Sequence, residues 1–94
     1  MENQDELQEL RTQIDALDRD VINSLAKRTA LVEQIGRYKA ANSIKAVDED
    51  RRDALKRMWI KSGESLGLPT EFITAIYDTI HEYSVSIENK IKNL

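Results

Sequence analysis

From about Asp5 to Ala41 the chain places apolar residues at helical spacing, and no proline interrupts it. The seam runs Leu7, Leu10, Ile14, Leu17, Val21 and resumes at Val32 and Ile35. Asp5 and Gln8 have the spacing of a capping box, Gly36 is the weak point, and Asn42 and Ser43 are stop residues. Such a helix is ~55 Å long at the standard rise per residue. A compact domain of 94 residues spans only about 30 Å. One copy therefore cannot bury the whole seam. The expected solution is a two-fold dimer with the long helices paired.

The rest of the chain reads as two more helices. Residues 42–48 form a loop, and a second helix starts near Asp48. There Asp48, Glu49 and Asp50 suit the positive end of the helix dipole. Its apolar face carries Ala54, Leu55, Met58 and Trp59, and it ends between Gly63 and Gly67. Leu68 and Pro69 open a third helix that runs to about Lys92. Its seam is Ile73, Ile76, Ile80, Ile87 and Ile91, with Tyr77 beside it. Trp59 and Tyr77 read as packing residues, and His81 as a partly exposed helix residue. The expected fold is all-α, three helices in one domain over residues 1–94.

Composition excludes several functions. A net charge of -3 gives nucleic acid no purchase. There is no cysteine, so no disulfide framework and no thiolate chemistry. A single histidine, His81, without cysteine argues against zinc, and the acids at 48–50 read as dipole complements rather than a metal site. No apolar run reaches membrane-spanning length, and Met1 to Glu6 is polar. A cytoplasmic protein is expected.

The long seam also carries cations. Seven residues past Val21 stands Arg28, and eleven further on, about three turns, stands Lys39. A cation on a buried seam is costly unless an anion meets it. The seam therefore faces a protein carboxylate or a small anionic ligand. On the third helix Ser84 falls on the apolar seam, and Glu88 lies one turn beyond. Arg11 and Arg28 are ~25 Å apart along the axis and cannot grip one small molecule from one helix. In an antiparallel pair, Arg11 of one copy approaches Arg28 of the other and builds two equivalent sites. Plainer readings stand beside these. Arg28 and Lys39 could pair with Glu33 or Asp20, Asp48 could be an N-cap, Arg51 its i+3 partner, and Glu88 a partner of Lys92.

These residues resemble the all-helical (AroQ-class) chorismate mutases over nearly the whole chain. The matching stretches are LQELRTQIDALDRDVINSLAKRTALVEQIGRYK, then DEDRR, then IHEYSVSIE. The resemblance implies an intertwined homodimer with two buried sites and no cofactor or metal. It implies the rearrangement of chorismate to prephenate, on the route to Phe and Tyr. Arg11 from the other copy and Arg28 would hold the two substrate carboxylates. Lys39 would donate to the ether oxygen, and Asp48 would contact the ring hydroxyl. Arg51 would order the charged site, Ser84 would touch a carboxylate, and residue 88 would be the second donor to the ether oxygen. A pericyclic step needs no nucleophile. It needs a dianion clamped by Arg forks and a cation where charge grows.

Two positions depart from the family pattern. Arg52 stands where Glu usually accepts a bond from the ring hydroxyl, and a cation cannot accept one. Either Asp48 takes that role alone, or Arg52 turns to solvent, or the ring substituent differs. An inward Arg52 would repel the ring ammonium of aminodeoxychorismate, whereas an isochorismate-pyruvate lyase needs an acceptor at 52 less. Glu88 stands where many members carry Gln, and Glu donates only when protonated. Mutase activity is then expected to rise as pH falls below neutral. A non-catalytic regulatory helical dimer is the reading from another class. A chain of this length also matches a mutase domain fused to a dehydratase, dehydrogenase or synthase.

Overall fold

The computed structural model describes residues 2–94 of the chain, so Met1 of the expected 1–94 domain lies outside the described residues. Three helices follow one another: α1 (Glu2–Ala41), α2 (Glu49–Ser65) and α3 (Thr70–Lys92). The all-α expectation holds. α1 starts three residues earlier than its pattern suggested, so Asp5 lies inside the helix and is not its cap. The chain divides into two units, residues 1–31 and residues 32–94, and α1 contributes to both.

In the first unit the seam is bare. Leu7, Leu10, Ile14, Leu17 and Val21 are 45–63% exposed, and Ile22, Leu25 and Leu31 are exposed as well. A continuous apolar stripe of this kind on a monomer marks a surface that something covers.

The second unit is packed. α2 and α3 form an antiparallel hairpin. Near its closed end Gly63 faces Ile73, at the level of Trp59 the rings of Trp59 and Tyr77 meet edge to face at 5.6 Å, and further along Lys56 pairs with Asp78 at 3.0 Å. Tyr77 is the most buried side chain, 1% exposed, and donates its hydroxyl to the Arg52 carbonyl at 3.0 Å. His81 stacks on the Tyr77 ring at 5.7 Å. The last ten residues of α1 join this unit through Val32, which is buried, and through Gly36. The expected apolar face of α2 needs correction. Ala54 and Met58 are exposed, and the helix packs through Leu55, Trp59, Ile60 and Gly63. The face of α3 is led by Ile73, Tyr77, Ser84 and Glu88, with Ile76, Ile80, Ile87 and Ile91 half-buried around them.

The ends of α2 and α1 each turn on a left-handed residue. At the end of α2 the Leu68 N–H donates to the Gly63 carbonyl and the Gly67 N–H to that of Glu64, with Gly67 left-handed at φ 82°. This is the Schellman closure, in which the left-handed position is usually glycine. At the end of α1 the Ile44 N–H donates to the Lys39 carbonyl at 2.9 Å, and the left-handed position is Ser43, at φ 58°. Pro69 precedes α3 in extended conformation and serves as its N-cap position rather than its first helical residue.

Candidate functional site

Lys39 and Glu88 come together. Lys39 Nζ lies 2.8 Å from Glu88 Oε1, and both side chains are largely buried, 21% and 10% exposed. The plainer pairings fail for both residues: Lys39 does not use Glu33, which lies 4.0 Å from Arg37, and Glu88 does not use Lys92. The ammonium also donates to the Ala46 carbonyl at 2.8 Å. An ammonium has three donors, and this bond engages one of them. Glu88 Oε1 is enclosed and meets the cation by charge, without an aligned hydrogen bond. Burying such a pair costs desolvation that mutual attraction only partly offsets. Its retention in a small core is therefore more informative than a surface pair would be.

Gly36 marks where α1 and α3 come close. A Cβ at Gly36 would meet Glu88 Cα and Cγ at 3.4 Å and Ile91 Cδ1 at 3.0 Å. Lys39 lies three residues further along α1, on the same face, and so reaches the carboxylate. Ser84 is buried one turn before Glu88 on α3, and its hydroxyl donates to the Ile80 carbonyl at 2.9 Å.

At the start of α2, Asp48 is the N-cap in extended backbone, and its carboxylate accepts from the Arg51 N–H at 3.0 Å. The link between Asp48 and Arg51 thus runs through the backbone rather than the guanidinium. Both side chains are exposed. Arg52 is half-buried, and its Nε lies 3.6 Å from Asp53 Oδ1. Its carbonyl carries the Tyr77 hydroxyl. Arg11 and Arg28 belong to the first unit; Arg11 is exposed and Arg28 half-buried.

Two contributors escaped the sequence reading. The Ala46 carbonyl left no trace, because any residue can present a carbonyl. Gly36 was visible as a weak point of a helix but not as the place where α3 comes close. Among the described residues no group of three or more His, Asp or Glu side chains is arranged to hold a metal ion. No helix there is long and apolar enough to cross a membrane.

The chain is similar to known proteins over most of its length. The chain is 29% identical over 91 residues to a 4-amino-4-deoxychorismate mutase of Streptomyces venezuelae, covering 97% of this chain and 88% of that one. It is 34% identical over 91 residues to a bifunctional chorismate mutase/prephenate dehydratase of Aquifex aeolicus, covering 94% of this chain. It is 31% identical over 84 residues to a T-protein of Enterobacter agglomerans, covering 89% of this chain. The chain spans 25% of the length of the second and 22% of the third. The pattern of chorismate mutase type II matches residues 10–89. That stretch takes in Arg11, Arg28, Lys39, Asp48, Arg51, Arg52, Ser84 and Glu88 on all three helices, and the chain belongs to the chorismate mutase type II family.

Proposed function

We propose that the chain is a chorismate mutase that rearranges chorismate to prephenate. The observation that carries this reading is the enclosed Lys39–Glu88 pair with ammonium donors to spare, inside the stretch that matches the family. The reaction breaks the ether C–O bond and forms a C–C bond in one intramolecular step, so no nucleophile or external oxidant takes part. The protein must fold the enolpyruvyl arm over the ring and stabilise charge on the ether oxygen. In this reading Arg28 and Arg11 of the partner subunit fork the two carboxylates, which restricts the substrate to the reactive conformer. Lys39 donates an N–H to the ether oxygen, and Glu88, when protonated, is the second donor. Asp48 accepts from the ring hydroxyl, Arg51 adds positive charge, and Ser84 touches a carboxylate.

A two-fold dimer belongs to the same reading, supported by the bare seam from Leu7 to Val21. So does the cytoplasmic setting. Sharing of sites is tested by mixing Arg11→Ala with Arg28→Ala. Mixed dimers carry one intact site and regain part of the activity. No recovery in confirmed heterodimers would count against sharing.

The deciding test follows chorismate loss by ultraviolet absorbance, with the product identified, at pH 5 and pH 7.5. Prephenate is the expected product at both, and a faster rate at pH 5 would mark Glu88 as a donor, because only a protonated carboxyl donates. Glu88→Gln should flatten that profile. A flat wild-type profile that the substitution leaves unchanged would remove Glu88 from the donor role.

A second reading is favoured by the similarity to a 4-amino-4-deoxychorismate mutase over nearly the whole chain. Arg52 was expected to repel a ring ammonium if it pointed inward. Its Nε lies beside Asp53, whose carboxylate offsets that charge. Side-by-side turnover of chorismate and its 4-amino analogue separates the two readings.

A further inference from the structure

Among the described residues Ser43 is the one non-glycine with positive φ. It occupies the position that Gly67 fills at the end of α2. Left-handed backbone strains any residue with a Cβ, and such strain persists only where the surroundings enforce it. The enforcing contacts converge on one residue. The Ile44 N–H donates to the carbonyl of Lys39, and three residues past Ser43 the Ala46 carbonyl receives the ammonium of the same Lys39. The turn therefore grips Lys39 at its backbone and at its tip. Gly67 closes an equivalent turn that has no bond to Lys39.

We propose that Ser43 is a positioning residue for Lys39: its left-handed turn delivers the Ala46 carbonyl to the ammonium and so fixes where the ammonium sits and where its remaining donors can reach. An ammonium on a four-carbon stem has many rotamers. The Ala46 carbonyl holds it from the loop by a hydrogen bond and Glu88 holds it from α3 by charge, so few rotamers satisfy both and a remaining N–H is confined to a narrow range of directions. The identity of the group that receives this N–H rests on the functional reading above. The positioning itself does not.

The test compares Ser43→Val, Ser43→Gly and Gly67→Val. A β-branched residue is a poor occupant of left-handed backbone, and glycine is the best one. Both valine variants should lower the melting temperature, by about 4–8 °C. Ser43→Val alone should lower kcat, about a hundredfold, with KM little changed, since a displacement of about 1 Å has that scale. Ser43→Gly should keep wild-type kcat. Equal loss of kcat in the two valine variants, or wild-type kcat in Ser43→Val, would overturn the proposal. Should Ser43→Val fail to fold, Ser43→Thr, which is β-branched but closer in chemistry to serine, serves in its place.

A second arm needs no turnover. In protein labelled with 15N-lysine, the Lys39 ammonium signal is assigned by its absence in Lys39→Met. It should be protected from rapid exchange in the wild type and in Ser43→Gly, and lost in Ser43→Val. Equal protection in all three would overturn the proposal. A wild type that turns over neither chorismate nor its 4-amino analogue would end the functional reading, and the ammonium signal would still decide the role of Ser43.

Discussion

Residues 1–31 and residues 32–94 are built from similar materials and treat them differently. In the first unit the leucines and isoleucines of α1 line one stripe and stay exposed. In the second unit comparable residues surround Tyr77, and even a serine and a glutamate are buried. Helical periodicity is equally clear in both. Periodicity reports that a face will be covered, not by what. The second unit supplies its own cover in α2 and α3. The first leaves its stripe exposed, and under the proposal above a second copy covers it.

The sharpest way to break this contrast is a charge in the bare stripe. Leu17→Asp replaces a side chain that is 63% exposed in the isolated chain. On an ordinary surface the change stays within about 0.5 kcal/mol. Under a second copy it removes an apolar contact and strands a charge, and should cost about 4 kcal/mol per dimer. Sedimentation velocity and thermal melts read the difference, and an unchanged assembly would leave the stripe as plain surface. A smaller effect is expected in the packed unit. At Gly63 a new Cβ would stand 2.5 Å from Ile73 Cγ1, too close to be absorbed without movement. Gly63→Ala should destabilise by about 2 kcal/mol despite its better helix propensity. At Gly36 the tightest neighbour is the flexible end of Ile91, at 3.0 Å. Gly36→Ala should therefore be neutral or stabilising by up to about 1 kcal/mol. Equal responses at the two glycines would show that the hairpin is looser than its contacts indicate. Least of all, Tyr77→Phe removes the bond to the Arg52 carbonyl. It should cost about 1 kcal/mol in denaturant melts.

Much of this was legible in the residues. Spacing located the three helices, because apolar faces and a near absence of proline leave little choice. Asp48 was readable as a cap from the acids that follow it, and Ser84 and Glu88 from their place on an apolar seam. Burial was read less well on α2, where Ala54 and Met58 share a sequence pattern with residues that do pack. A short helix against one neighbour buries a narrower face than its composition allows. The start of α1 was missed because a capping signal at Asp5 does not stop a helix from beginning earlier. The Lys39–Glu88 pair joins residues 49 positions apart, on helices whose register no local pattern encodes. The hold on Lys39 by the loop was invisible for a different reason: it is made by backbone.

The bare stripe has a kinetic consequence. A helix without tertiary cover is marginal in water, because its nucleation is unfavourable and its propagation gains little. The hairpin of α2 and α3 is local in sequence and belongs to the class of contacts that form early and quickly. If a second copy is what covers the stripe, folding then runs on two clocks. The first is unimolecular and indifferent to dilution. The second is an encounter between chains that slows as the protein is diluted, and the melting temperature shifts with concentration for the same reason.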